Sequence, residues 1–265
     1  MYAFELHQPR SVSEAVALLS NPDSQALAGG QSLIAAMKLR LASPATLVDL
    51  SGIEELRGIR REGDALVIGA GTRHAEIAES AEVKQAIPAL AWLAGEIGDL
   101  QVRNLGTLGG SLANNDPAAC YPAAVLGLNA TIRTDRRTIA ADDFFTGMYE
   151  TALASGELIT AVAFPIPDKA AYIKFVNPAS RFALVGIFVG RATDGQVRVA
   201  ATGCAGCAFR VADLEKALAA DFSPAAAKAV RISDAGLSSD LHASAEYRAH
   251  LIPVLTARAV AKALE

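Results

Sequence analysis

Two glycine pairs constrain this chain more than any other feature. Gly29-Gly30 stands in AGGQSLIAAMKLR, from Ala28 to Arg40, and Gly109-Gly110 in TLGGSLANNDPAACYP, from Thr107 to Pro122. Glycine permits positive φ and lets a backbone approach a ligand closely. A helix start offers unpaired N–H groups and the positive end of a dipole. Together these make an anion site, most simply for phosphate. The first pair precedes a helical run with Ser32 as its expected N-cap. The text after the second pair is polar and reads as loop. Two such loops, each with hydroxyls nearby (Ser32; Thr107 and Ser111), suit a diphosphate held between two subdomains; a plain tight turn is the other reading of each.

The organisation around them is mixed. SVSEAVALL carries Ser11 and Glu14 as a capping box, with Val12, Ala15, Val16 and Leu19 on one helical face. With the strands SQALAGG, ending in its glycines, and ATLVDL it predicts a small β-α-β-type unit. RGIRREGDALVIGAG predicts a hairpin about Gly63-Asp64. PALAWLAGEIG is helical, with Pro88 in its first turn, and PAAVLGLN is a short helix. ATIRTDRRTIAADDF reads as a strand pair and ELITAVAFPIP as a further strand. Beyond PIPD come three strands (AYIKFV, FALVGIFVGRA, QVRVAATG), then helical text in which Pro253 is expected to kink or divide the last helix. The fold class is α+β, with a first domain over 1–165 (subdomains 1–53 and 54–165) and a second over 166–265.

Composition narrows the function. A net charge of −4 and only paired basic residues give no reason to expect nucleic acid. The N-terminal text has no signal-peptide pattern. No stretch nears the roughly 18 apolar residues of a membrane helix. Three cysteines fit a reducing compartment, so a cytoplasmic location is expected. Gly69-Ala70-Gly71 follows a strand, but His74 stands where a dinucleotide fingerprint needs a third glycine. No P-loop occurs. Cys204 and Cys207 form C-x-x-C without the further ligands a metal needs, so packing is the expected role. The four histidines, His7, His74, His242 and His250, are scattered. No catalytic residue and no metal ligand are assigned.

Taken in order, AGGQSLIAAMKLR, IGAGTRH, QVRNLGTLGGSLANNDPAACYPAAVL, YIKFVNPASRFALVGIFV and DLHASAEYRAHLIPVL resemble the FAD-binding medium subunit of the molybdenum hydroxylases over essentially the whole chain. The family includes aerobic carbon monoxide dehydrogenase and the flavin part of xanthine dehydrogenase. The resemblance implies an FAD domain of the vanillyl-alcohol-oxidase/p-cresol-methylhydroxylase type, followed by a small domain of three antiparallel strands and a helical bundle. It implies non-covalent FAD held by Ala28, Gly29, Gly30, Gln31, Ser32 and Leu33, and by Thr107, Gly109, Gly110 and Ser111. By the same carry-over Ile97 and Gly98 lie along the flavin, Asp116 and Cys120 run beside it, and Lys174 approaches its ring.

The implied role is electron transfer. Molybdopterin would sit in a large partner subunit and [2Fe-2S] clusters in a small one, with a heterohexamer as the expected assembly. Electrons would pass from the clusters through FAD to NAD, a quinone or oxygen. Two departures stand out: Ser111 and Cys120 replace residues that are often acidic in relatives, which weakens an assignment to carbon monoxide oxidation itself. The alternatives are a self-contained flavin oxidoreductase and a flavin-free assembly or sensor protein.

Overall fold

The computed structural model describes residues 1–265. Its first part runs β1 (Glu5–His7), α1 (Val12–Leu19), β2 (Ser24–Leu27), α2 (Leu33–Lys38) and β3 (Thr46–Asp49). The strands form a parallel sheet in the order β1-β3-β2. β1, which is exposed along its length, carries too little apolar signal to be read from sequence. The Ser11 hydroxyl accepts the Glu14 N–H and so caps α1. The Glu14 carboxylate reaches back one residue further than a capping box requires, to the Arg10 N–H at 2.8 Å. Ala15, Leu19, Val48, Ile53 and Leu56 close a small core beneath.

The middle part begins with the β4 (Ile59–Glu62) and β5 (Ala65–Gly69) hairpin, whose two-residue turn is Gly63-Asp64, with Gly63 at φ +59°. Six helices follow: α3 (His74–Glu79), α4 (Ala81–Ala86), α5 (Pro88–Gly95), α6 (Leu100–Leu105), α7 (Leu108–Asn114) and α8 (Tyr121–Gly127). Then come β6 (Thr131–Thr134), β7 (Thr138–Ala140), α9 (Ala141–Phe144), the short hairpin β8 (Phe145–Gly147) and β9 (Glu150–Thr151), and β10 (Ile159–Pro165). The antiparallel sheet β4-β5-β10-β6-β7 packs its apolar face, including Leu66, Ile68, Ile132 and Val162, on these helices. α7 is a correction. LGGSLAN is helical because the Thr107 hydroxyl caps it, accepting the Gly110 N–H at 3.1 Å, so both glycines lie inside its first turn.

The last part holds β11 (Lys169–Val176), β12 (Ala183–Arg191), β13 (Val197–Thr202) and β14 (Phe209–Arg210) in one antiparallel sheet, then α10 (Ala212–Ala220), α11 (Pro224–Ala229) and α12 (Ala245–Leu264). The two-residue β14 extends the three expected strands to four. β12 reads as an unbroken apolar run because both faces are covered. Phe188 joins the core under the middle helices, whereas Val185, Ile187 and Val189 face Leu251, Ile252 and Leu255 of α12. Pro253 does not divide α12, which stays continuous over 20 residues. A proline deletes a single donor, and packing against the sheet holds the helix through that gap.

Candidate cofactor site at the glycine loops

The two glycine segments meet in space. A Cβ on Gly29 would overlap the Leu105 carbonyl oxygen and stand 2.7 Å from Gly106 Cα. A Cβ on Gly110 would lie 2.9 Å from the Thr107 hydroxyl and 3.6 Å from the Ala28 Cβ. Only bare backbone allows this approach. The floor beneath is IGAGTRH: Gly109 donates to the Ala70 carbonyl at 2.8 Å, Leu108 to Thr72 at 3.1 Å, and His74 to Gly106 at 2.9 Å. Gly69 and Gly71 thus belong to the support of the second loop.

The two loops play unequal parts. From Ala28 to Leu33, six successive backbone N–H groups donate to no protein acceptor, although the stretch through Gly30 is half-buried. Ser32 departs from the expectation. It has helical dihedrals, φ −97° and ψ −51°, and its hydroxyl caps nothing, so the start of α2 stays open. Gln31 turns back on itself, its amide donating to the Gly29 carbonyl at 3.1 Å. In the second loop the N–H groups of Leu108, Gly109, Gly110 and Ser111 are all engaged within the protein. The first loop supplies donors; the second supplies a close wall. Unpaired half-buried donors of this kind call for an acceptor.

The remaining candidate positions fall into two groups. Ile97 and Gly98 follow α5; Arg103 on α6 donates to the Ile97 carbonyl at 2.9 Å, and Asp99 caps α6 through the Val102 N–H at 2.8 Å. α6 runs from there to Leu105 and Gly106, against Gly29. Lys174 on β11 donates to the Glu96 carbonyl at 2.8 Å, so it stands beside Ile97 and Gly98. Asp116 lies at the other end of α7, half-buried, accepting the Ala118 N–H at 2.8 Å. Cys120 is only 5% exposed, and its thiol lies in the main core near the Tyr172 hydroxyl.

Four supporting residues were not among the site positions expected from the sequence. Asn115, fully buried, holds the β8–β9 hairpin. Thr202 and Gly203, at the end of β13, bond the Pro117 carbonyl, and the Thr202 hydroxyl also reaches Ala119 at 2.7 Å. His74 stands under Gly106; burial, and secondarily the Arg103 charge, lower its pKa from 6.5 to about 4, so it is neutral. The IGAGTRH text was the one available signal for His74.

A mixed fold in which a loop of open backbone donors is pressed against a second glycine segment defines a class: proteins that hold a phosphate-bearing cofactor without a Rossmann or P-loop motif. Comparison with known proteins supplies the family. Residues 2–167 match the FAD binding domain in molybdopterin dehydrogenase, and the chain belongs to that family. It is 38% identical to the nicotine 6-hydroxylase medium subunit of Paenarthrobacter nicotinovorans, over 98% of this chain and 97% of that one. It is 37% identical to the carbon monoxide dehydrogenase medium chain of Hydrogenophaga pseudoflava, over 97% and 96%. A chain in the solved structure of carbon monoxide dehydrogenase from Hydrogenophaga pseudoflava superposes with a TM-score of 0.90 at 36% identity, covering 99% of this chain and 98% of that chain. The family, the cofactor class and the fold inferred from the sequence all agree with these likenesses. No helix is long and apolar enough to cross a membrane.

Proposed function

We propose that this chain is the FAD-carrying electron-transfer subunit of a molybdenum-containing hydroxylase. The observation that carries the reading is the run of six unpaired N–H groups at Ala28–Leu33, pressed against the second glycine segment. Ala28 to Leu33 would hold the diphosphate. Thr107 and Ser111 would contribute hydroxyls, and the absent Cβ atoms of Gly29 and Gly110 let the two segments approach this closely. Bound FAD would supply the redox chemistry, accepting electrons from a donor and releasing them to an acceptor.

The chain's own residues do the rest. Lys174, anchored on Glu96, brings a positive charge next to Ile97 and Gly98, where it favours negative charge developing on a neighbouring ring system. The chain divides functionally at about residues 53 and 165: 1–53 and 54–165 each bring one glycine loop, and 166–265 brings Lys174 and braces the 116–120 segment. Relatives whose names specify substrates as unlike as nicotine and carbon monoxide match this chain over nearly its full length. A subunit shared across such substrates has a task independent of the substrate, as electron transfer is. The partners are then a molybdopterin-bearing large subunit and an iron–sulfur small subunit in a heterohexamer, and the complex works in the cytoplasm.

The test is co-expression with a large and a small subunit of this type, followed by addition of the complex's reducing substrate without an acceptor. Bleaching of the flavin absorbance in the complex, and none in the isolated chain, is the expected result. Bleaching in the isolated chain would identify a self-contained oxidoreductase instead.

A further inference from the structure

Asn115 combines three features rarely found in one residue. It is fully buried, it adopts the left-handed conformation at φ +41° and ψ +49°, and its amide nitrogen donates to two carbonyls, Gly147 at 2.8 Å and Glu150 at 2.7 Å. Its own carbonyl accepts the Tyr149 N–H at 3.2 Å. Asparagine tolerates the left-handed region at a helix C-terminus, but tolerance does not account for the amide. Both amide hydrogens are spent on one hairpin turn, and the amide oxygen is left without a partner in the interior. Two donations fix the orientation of the group despite that cost.

The hairpin so clamped is β8–β9, whose tip, Met148 and Tyr149, is exposed. Tyr149 is itself left-handed, at φ +57°, and turns its hydroxyl onto the Asp116 Oδ2 at 3.5 Å. Asp116 therefore has one oxygen on the Ala118 N–H and the other under the Tyr149 hydroxyl. A carboxylate can accept about four hydrogen bonds, so acceptor capacity is left over on its half-exposed side. The ligand chemistry that suits a fixed carboxylate with spare acceptor sites is a hydroxyl, such as one on a ribose or ribityl chain.

We propose that Asn115 is a positioning residue for cofactor binding: by clamping the 145–151 hairpin to the end of α7, it holds the Asp116 carboxylate where it accepts a sugar hydroxyl of the dinucleotide. This rests on the FAD reading above. Asn115 does not touch the cofactor; it acts through Asp116.

The test is titration of the full-length apoprotein with FAD, read by quenching of flavin fluorescence. Asn115→Gly is the informative variant, because glycine keeps the positive φ without strain and removes only the clamp. It should bind FAD about tenfold more weakly, the equivalent of one well-made hydrogen bond. Asn129→Gly, at another left-handed asparagine (φ +52°), should bind as the wild type does. In an Asp116→Ala background Asn115→Gly should cause no further loss, and chymotrypsin should cut Asn115→Gly faster after Tyr149. Unchanged affinity of Asn115→Gly, or a loss fully additive with Asp116→Ala, overturns the proposal while leaving the FAD reading intact. A wild-type chain that takes up no FAD overturns both. If Asn115→Gly does not fold, Tyr149→Phe replaces it, with a loss of about threefold expected for one weakened hydrogen bond; wild-type affinity there is the contrary result.

Discussion

The Lys174 ammonium donates to the Glu96 carbonyl at 2.8 Å, joining β11 to the end of α5 across 78 residues of sequence. One hydrogen bond thus sets the side chain of the last sheet against the loop that leads, through α6, to the glycine segments. Replacing Lys174 with Met keeps most of the stem's packing and removes the charge. The expected outcome is a chain that still binds FAD but whose flavin has a lower reduction potential, since the charge that favours the reduced ring is gone. Potentiometric titration of both proteins checks this; equal potentials would remove Lys174 from the flavin's surroundings.

The apposition of the glycine loops is open to a steric test. Gly29→Ala places a methyl against the Leu105 carbonyl and Gly106 Cα, both backbone groups that cannot swing aside. A destabilisation of about 1–3 kcal/mol is expected from the forced backbone shift, together with loss of FAD. Gly95→Ala, where a Cβ meets nothing within 4 Å, should be neutral or stabilise by roughly 0.5–1 kcal/mol. Thermal melts of the two variants should therefore move in opposite directions or differ by several degrees.

Acid stability should show two stages. His74 stays neutral in the fold with its pKa lowered to about 4, whereas in the unfolded chain it takes up a proton near 6.5. The unfolded state binds more protons between those values, so stability falls as pH drops from 6.5 towards 4. Glu157 then contributes. The Arg137 guanidinium, the Ala154 N–H and the Thr134 hydroxyl hold its carboxylate at about 2, against 4.5 unfolded. Its stabilisation, on the order of 3 kcal/mol, is complete above pH 4.5 and is lost as pH falls through 2. Denaturant melts across this range should show both stages, and Glu157→Gln should flatten the lower one.

The brace on the 116–120 segment is testable at Thr202. Its hydroxyl lies 3.0 Å from the Pro117 carbonyl and 2.7 Å from that of Ala119. Thr202→Val preserves shape and leaves buried carbonyls short of a donor, so a cost of about 1–3 kcal/mol is expected. Faster hydrogen exchange at Ala118 and Ala119 than in the wild type would confirm that the link holds this segment; unchanged exchange would contradict it.

What could be read from the sequence was what is local. Gly63-Asp64 marked its hairpin because a two-residue turn needs positive φ, and Pro88 and Ser11 marked helix starts through their own chemistry. The glycine pairs signalled close backbone approach, which Gly29 and Gly110 show. Their division of labour was hidden, because it depends on distant partners. The N–H groups of Gly109, Gly110 and Ser111 are consumed by Ala70 and Thr107, whereas Ser32 fails to cap and leaves the first loop's donors open. The text after the second glycine pair read as loop because it is polar, and the Thr107 cap overrode that preference. Asn115 and Thr202 act through carbonyls 32 to 85 residues away and have no local signature.

The most direct test of the central claim is a titration of the purified chain with FAD, followed by its visible absorbance and by release of the bound flavin on denaturation. One FAD per chain, released intact as free FAD, with uptake abolished by Gly29→Ala, is the predicted result. A folded chain that binds no FAD, or a Gly29→Ala variant that binds it as tightly as the wild type, would contradict the assignment of Ala28–Leu33 as the diphosphate cradle.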